Sequence, residues 1–422
     1  MVIKDYYSLS EVAELLGKSP ETLRRWDNNG KLTALREPMS NYRVYKKEQL
    51  KIFDELNYLF NNEIETSTIS PKGAFNVLEL FAGAGGLAIG LEQAGLKCIA
   101  LNEIDHWAAE TLRINRPNWN VLEGDIKDLS FISQKGKVDV VTGGFPCQSF
   151  SYAGKKLGLE DARGTLFYEF ARVVDETRPK ICIGENVRGL LSHDSGDTLK
   201  GMISILDGLG YRVLEPKVLK AIYFKVPQKR ERLILVGIRK DIKFDFEYPK
   251  PSKQIFTLKH ALKKGDLYPT DVPPSPGAKY PESKKRILDL IPPGGYWRDL
   301  PLDLQKEYMQ KSFYLGGGKT GMARRISWEE PSLTLTCSPA QKQTERCHPD
   351  ETRPFTVREY ARIQTFPDEW KFAGPVSAHY KQIGNAVPVN MAREIGISIV
   401  RFLNLLQKDT EKSELTIQYQ IV

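Results

Sequence analysis

Long apolar runs, paired cysteines and histidines are what this sequence has little of. No stretch of about eighteen consecutive apolar residues, the length that crosses a bilayer, is present. The opening MVIKDYYSLS also lacks the apolar core of a secretion signal, so the expectation is a cytoplasmic, nucleoid-associated protein with no membrane partner. Five cysteines among 422 residues, at 98, 147, 182, 337 and 347, form no CxxC pair and no disulfide framework of the secreted kind. Cys347 and His348 are adjacent, but a tetrahedral metal site needs two more ligands at suitable spacing, and no metal is expected. There is no internal repeat. Nor is there an acidic excess: the net charge of +8 favours a polyanionic partner, nucleic acid first.

A chain of this length accommodates two or three domains, each with its own core. Residues 1–60 read as a small helical unit. Ser8 and Glu11 stand at capping-box spacing, and Ser19 and Pro20 supply the N-cap and first position of a second helix, PETLRRWDNNGKL. REPMSNYRVYKK then has the length of a small wing, followed by a helix from about 48 to 59. Through TLRRW, GKL and YRVY the unit resembles the winged helix-turn-helix of the MerR and excisionase group. That resemblance implies DNA contacts from Thr22, Arg24, Arg25 and Arg43. With ten Lys or Arg against nine Asp or Glu the unit is not strongly basic, and a helical domain that only packs remains the alternative.

Residues 61–73, polar with a late Pro and Gly, read as a linker. From 74 to 240 apolar runs (NVLELF, KCIALNE, NVLEGD, VDVVTGG, KICIGENV, YRVLEPKVL, ERLILVGI) alternate with helical stretches, the pattern of a mainly parallel sheet covered by helices. Residues 241–350 are rich in Pro and Gly and carry 18 basic against 14 acidic residues, which reads as a second, smaller lobe facing a polyanion. Residues 351–407 return to the first lobe, with a last helix from about Val389 to Leu406, and 408–422 form a tail.

FAGAGG follows the first strand of this sheet, and Gly83, Gly85 and Ala88 satisfy G-x-G-x-x-A with Glu103 twenty residues after Gly83. The fingerprint admits a dinucleotide enzyme, yet a carboxylate at this place holds any ribose diol, and S-adenosylmethionine carries one. Asp125 stands where a second acid would meet the adenine amino group; both carboxylates also occur as ordinary strand-end residues. GGFPCQSFS begins at the carboxyl end of the fourth strand, where open α/β sheets bind ligands. Cys98 and Cys182 fall inside apolar runs and read as inert, whereas Cys147 lies past its run and reads as a nucleophile. Glu185 closes the fifth strand, where burial favours a proton-donating carboxyl group. Arg230 and Arg232 alternate at the entry to a later strand, so they share a face and Glu231 takes the other. A thiolate for C6, an acid for N3 and a guanidinium for O2 match a cytosine ring.

With these pieces in order, the chain resembles a cytosine-C5 DNA methyltransferase over residues 75 to about 405: FAGAGG, NEID, GDI, GGFPCQSFS, GTLF, ENV, QKRER, a variable region, RPFTVREYARIQTFPDEW and YKQIGNAVPVNMA. The resemblance implies a Rossmann-like α/β methyltransferase sheet with a target-recognition domain and S-adenosylmethionine as cofactor. It implies Cys147, Glu185, Arg230 and Arg232 at the reacting base. Around the cofactor it implies Phe81, Gly83, Gly85, Glu103, Ile104, Asp125, Ile126, Pro146 and Asn385. DNA contacts would come from Ser149, Ser151 and Arg163 on a closing loop, and from Arg324, Arg325, Thr334 and Lys342 in the variable lobe. The expected partner is double-stranded DNA, bound by a monomer, with a restriction endonuclease acting at the same site. RNA methylation and a repressor with an inert methylase lobe are the competing expectations.

Overall fold

The computed structural model describes residues 5–16, 18, 20–53, 56, 60, 69–146, 165–252, 254–316 and 319–420, with the side chains of Glu14 and of 409–420 left out. The chain divides into two compact units, the first made of Met1–Thr68 with Pro249–Ile255 and the second of Ile69–Tyr248 with Phe256–Val422.

In the first unit, β1 (Tyr6–Ser8) leads into α1 (Leu9–Leu16) and α2 (Pro20–Asn28), and β2 (Leu35–Arg36) and β3 (Arg43–Lys46) form the wing. The capping box is present: the Ser8 amide donates to Glu11 Oε2 at 2.8 Å, and the Glu11 amide to Ser8 Oγ at 3.3 Å. Ser19, the expected N-cap of α2, lies outside the described residues. The wing strand β3 lies between β1 and β2, both antiparallel to it. A short core of Tyr7, Val12, Leu15, Leu16, Leu23, Leu32, Tyr45 and Leu50 holds the unit. The expected third helix begins as α3 (Lys47–Leu50) and is interrupted at 51–53; Leu56 and Phe60 are helical, and 54, 55 and 57–59 lie outside the described residues.

The second unit is built on one sheet in the order β10-β12-β8-β7-β4-β5-β6, with β9 also paired to β12. Its strands are β4 (Asn76–Leu80), β5 (Lys97–Glu103), β6 (Val121–Glu123), β7 (Val140–Gly143), β8 (Ile181–Val187), β9 (Tyr211–Val213), β10 (Lys217–Lys220) and β12 (Glu231–Arg239). The five from β6 across to β8 run parallel, and β12 returns antiparallel to β8. Parallel strands are covered on both faces, which is why each reads as a continuous apolar run. The chain builds outward from β4 to β5 and β6, then crosses to β7 on the other side, and ligands bind at such a reversal beyond the strands' carboxyl ends.

Helices α4 (Gly86–Gln93), α5 (His106–Asn115), α6 (Leu166–Thr177) and α7 (Asp197–Gly208) connect these strands. Phe167, Phe170, Val174, Met202 and Leu206 pack on Leu78, Leu80, Val141, Leu233 and Leu235 in the main core. The variable segment has only short helices, α8 (Leu258–Leu262), α9 (Glu282–Leu288) and α10 (Leu302–Met309), around a second core that includes Tyr280, Trp297 and Met309. A two-stranded parallel pair of β11 (Gln228–Lys229) and β13 (Ser332–Leu333) joins that segment to the sheet's last strands. The chain closes with α11 (Val357–Ile363), α12 (Val376–Asn385) and α13 (Val389–Gln420), which runs past the expected end at Leu406 and packs along α4. No helix among the described residues is long and apolar enough to cross a membrane.

One buried group in this sheet titrates far from its ordinary range. Glu79, on β4, is 1% exposed, and burial pushes its carboxyl up to about 8 against a hydrogen bond from the Ala88 amide, with the nearby Glu103 carboxylate adding to the rise. A raised folded value means that the native state holds the proton more tightly than the unfolded chain, so this contribution is complete below about 4.5 and is lost as pH climbs through 8. Glu79→Gln is expected to flatten the fall in melting temperature between pH 5 and pH 8, each unit of raised pKa being worth about 1.4 kcal/mol at most. Parallel melting curves for parent and variant over that range would contradict it.

Candidate active site

The carboxyl ends of β4 through β8 carry the expected residues, and backbone geometry accounts for much of their placement. After β4 the chain turns at Phe81, which holds φ of 58° although it is not glycine, then at Gly83 and Gly85 with φ of 56° and 86°. A positive φ in a bulky residue is strained, and such strain collects at binding sites. The turn is pinned from the next strand: Glu103 Oε2 accepts the Gly83 amide at 2.6 Å, and Oε1 accepts the Asp105 amide at 2.7 Å. Glu103 is 8% exposed, and burial raises its carboxyl against backbone hydrogen bonds from Asp105, Gly83 and Ile104. Asp125, half-buried, accepts the Lys127 amide at 3.0 Å. Ile104 is 66% exposed beside Glu103, whereas Ile126 is buried in the main core. Lys381 reaches over from α12 to Asp105 at 2.7 Å, a cation that sequence reasoning overlooked.

Next to this turn lie the residues expected at the base. Glu185 and Arg232 sit on adjacent antiparallel strands two register positions apart, since Glu185 faces Ile234 and Arg232 faces Val187. Their side chains meet, Arg232 Nε to Glu185 Oε1 at 2.5 Å, both nearly closed to solvent. Glu231 pairs instead with Arg188 at 2.9 Å. Glu185 lies directly over Gly144, where a Cβ would come within 2.9 Å of Oε2. Asn186 donates to the Phe145 carbonyl at 2.7 Å, so neighbouring residues of one strand grip the GGFP segment from two sides. Phe145 is anchored against Phe167 and Phe170. Pro146 follows, exposed; Cys147, Ser149, Ser151 and Arg163 lie outside the described residues. Cys98 and Cys182 are buried in the sheet, and burial pushes the Cys182 thiol up to about 12.

Arg230 does not stand beside the base as a second free cation. It is 1% exposed and donates to the Leu335 carbonyl at 3.2 Å, the Gly384 carbonyl at 3.0 Å and the Asn385 carbonyl at 3.4 Å. Burial, with Arg232 close by, brings its guanidinium down to about 9. Gln228, two residues earlier, accepts the Leu335 amide at 2.9 Å and donates to Gln364, which in turn donates to the Ile383 carbonyl at 2.8 Å. Gly384 fits against this seam because a Cβ there would meet the Thr336 carbonyl at 2.4 Å. Asn385 is exposed, and its Oδ1 accepts the Cys337 thiol at 2.9 Å. Gln228, Gln364 and Cys337 went unnoticed in the sequence, although QKRER and RIQTF flag the first two.

The expected DNA contacts divide. Arg325 is corrected: at 4% exposure its guanidinium is engaged by the carbonyls of Ile291 (2.6 Å), Leu288 (2.8 Å), His348 (3.0 Å) and Pro349 (3.3 Å) and by Thr352 Oγ1 (2.7 Å), which leaves nothing for a phosphate. Arg324 is likewise tied to Glu330 at 2.7 Å and the Gly294 carbonyl at 2.6 Å. Thr334 donates to the Lys229 carbonyl at 2.6 Å and so braces β13 on β11. Lys342 is half-buried over the Tyr308 ring at 5.1 Å. In the first unit, Arg43 Nε is held by Asp27 at 2.6 Å. Arg24 is paired with Glu21 at 2.9 Å but half-exposed, Arg25 is exposed and Thr22 is half-buried, all on α2.

Known proteins match this arrangement at length. A family model described as C-5 cytosine-specific DNA methylase matches residues 75–401, and one described as MerR HTH family regulatory protein matches residues 7–71. The chain is 63% identical over 409 residues to the Type II methyltransferase M.Eco47II of Escherichia coli, covering 96% of this chain and 98% of that protein. It is 56% identical over 408 residues to the Type II methyltransferase M.PspPI of a Psychrobacter strain, with the same coverage of 96% and 98%. Among solved structures, DNMT2 of Spodoptera frugiperda shares the fold, with a TM-score of 0.56 at 17% identity over 77% of this chain and 100% of that one.

The roles of the two arginines separate experimentally. Arg230→Lys keeps a charge but cannot reach three carbonyls on two segments; about tenfold weaker S-adenosylmethionine binding is expected, the loss of one charge-assisted hydrogen bond. Arg232→Lys is expected to leave cofactor binding unchanged and to lower methyl transfer. Calorimetric titration of both variants checks this, and equal cofactor affinity in the two would contradict it.

Proposed function

The chain belongs to the C-5 cytosine-specific DNA methylase family, and on that premise we propose that Cys147 attacks C6 of a cytosine swung out of a DNA duplex. It is a DNA cytosine-C5 methyltransferase of the Type II kind, and its cofactor is S-adenosylmethionine, which supplies an electrophilic methyl group on sulfur. The observation that carries the proposal is the Glu185–Arg232 pair closed over Gly144, three residues before Cys147.

A base inside a duplex hides both ring faces, so it must leave the stack, at a cost of a few kcal/mol. In the pocket, Arg232 would donate to O2 and Glu185 would supply a proton at N3 as the Cys147 sulfur bonds to C6. C5 then carries the electron pair that takes the methyl group. Loss of the C5 proton to a base re-forms the C5–C6 double bond and expels the thiolate. Glu103 would accept the ribose hydroxyls and Asp125 the adenine amino group, with Phe81 against the adenine ring; Pro146 and Asn385 would flank the sulfonium. The buried Glu103 carboxylate at the end of its strand and the strained Phe81 turn support this fit.

In this proposal the enzyme works as a monomer on DNA in the cytoplasm and protects the site that a cognate endonuclease cuts. The first unit would add DNA contacts from Thr22, Arg24 and Arg25 or regulate transcription; a footprint at its own promoter that vanishes in Arg24→Ala/Arg25→Ala supports regulation, and an unchanged footprint excludes it. Cys147→Ser is expected to bind both duplex DNA and cofactor while transferring no radiolabelled methyl group. Appreciable turnover by that variant, or label entering RNA alone, would sink the proposal.

A further inference from the structure

Two acids grip the glycine turn that follows β4, and the mechanism uses only one of them. Glu103 takes the Gly83 amide near the start of the turn. Glu79, next to last in β4, takes the Ala88 amide in the first turn of α4, just past the end of the glycine turn. That amide is one of those a helix start leaves without an internal partner, so a remote acceptor completes it. Glu79 and Leu101 are register partners on β4 and β5, and Glu103 stands two residues beyond Leu101, so both carboxyl groups lie on one face of the sheet. Phe81, Gly83 and Gly85 all hold a positive φ, and a path of that kind depends on what holds its ends.

Glu79 lacks the partner that a buried charge requires. Its Oε2 and the Thr142 Oγ1 are both buried with no hydrogen-bond partner among the described residues, and the two residues are register partners on β4 and β7. From β5, Glu103 adds a like charge, and Cys98 is a buried thiol whose own ionisation the Glu79 charge opposes. On α4, Glu92 is bound to Arg116 at 2.8 Å; on α13, which packs along α4, Arg393 is bound to Glu394 at 3.0 Å. None of the groups acting on Glu79 is a cation. A lone buried carboxylate is strongly disfavoured, and the neutral acid escapes that cost. Protonated, the carboxyl group keeps one oxygen to accept from Ala88 and gains a hydroxyl that Thr142 Oγ1 can accept.

We propose that Glu79 is a positioning residue for S-adenosylmethionine: as a neutral acid that donates to Thr142 and accepts from Ala88, it fixes the end of the glycine turn opposite Glu103, and its ionisation loosens the turn and releases the cofactor. The proposal rests on Glu103 as the acid that holds the ribose. A second negative charge beneath the turn is relieved by water entering between β4 and α4, which separates Glu79 from Ala88. The cofactor selects the closed turn, so the bound state holds the Glu79 proton more tightly than the free protein does. Affinity is therefore complete well below the free protein's value of about 8 and falls as pH rises through it.

The test is calorimetric titration of the full chain with S-adenosylmethionine across this range, with melting temperatures taken alongside to confirm that each variant is folded. Glu79→Gln keeps an acceptor for Ala88 and a donor for Thr142 but has no proton to lose. The ratio of wild-type to Glu79→Gln affinity is expected to fall about tenfold from about pH 7 to about pH 9, the effect of one proton over one unit. The cofactor's own amino group titrates with both proteins and cancels in the ratio. In buffers of different ionisation enthalpy, wild type is expected to take up about half a proton more than the variant at about pH 8. Thr142→Val removes the acceptor for that proton and is expected to move the fall about one pH unit lower. A constant ratio, equal proton uptake, or a fall that Thr142→Val leaves in place or moves higher would overturn the proposal. At about pH 7, Glu103→Gln is expected to bind about tenfold more weakly. Wild-type affinity in that variant would overturn the ribose assignment and the proposal built on it, whereas the other adverse outcomes leave the assignment standing.

Discussion

A carboxylate and a guanidinium share the end of a sheet almost without water, and the placement of the reacting groups depends on that pair. Neither Glu185 nor Arg232 could be buried alone, because an isolated buried charge costs several kcal/mol. Together, 2.5 Å apart on adjacent strands, they hold one another in a fixed geometry. Gly144 must lack a side chain to pass beneath them, and Asn186 fixes the next carbonyl. The segment up to Pro146 is therefore aimed by its neighbours before any substrate arrives. In the proposed mechanism a cytosine ring would meet donor and acid in one step, which is the preorganisation that electrostatic catalysis requires.

The second constraint couples this pocket to the rest of the fold. Gln228 and Arg230 lie on the same side of one extended segment, and their side chains reach backbone in two distant stretches: Leu335 in the variable lobe and 384–385 at the end of α12. Backbone partners bind whatever side chains those stretches carry, so the attachment of the variable lobe to the sheet does not depend on the side chains at those positions. Because β11 and β12 belong to one run of chain, a change at the lobe's root reaches Arg232 through only a few bonds. Arg325 and Arg324 play the same part inside the lobe, clamping its Pro- and Gly-rich backbone where regular helices and strands are scarce.

Much of this was legible in the sequence, for physical reasons that differ by residue. Each buried strand was a continuous apolar run, the Ser8–Glu11 capping box needed only local spacing, and FAGAGG announced a turn with positive φ. The alternation of Arg230 and Arg232 correctly gave Glu231 the opposite face. What stayed hidden was decided by contacts far along the chain. The carbonyls on Arg230 lie 105 and 154 residues away, so nothing local distinguishes a substrate-binding arginine from a backbone clamp. Arg325 was misjudged for the same reason: positive charge in sequence does not reveal whether carbonyls already occupy it. The pairing of Glu185 with Arg232 likewise depends on strand register.

The account's central claim is that one sulfur atom forms a bond to the base. A duplex with 5-fluorocytosine at the methylated position blocks the final loss of the C5 substituent, so the adduct cannot resolve. Incubation with S-adenosylmethionine should give a protein–DNA species that survives denaturation, with the DNA-linked peptide containing Cys147. Full methyl transfer to ordinary duplex without any such trapped species, or trapping on another residue, would contradict the account.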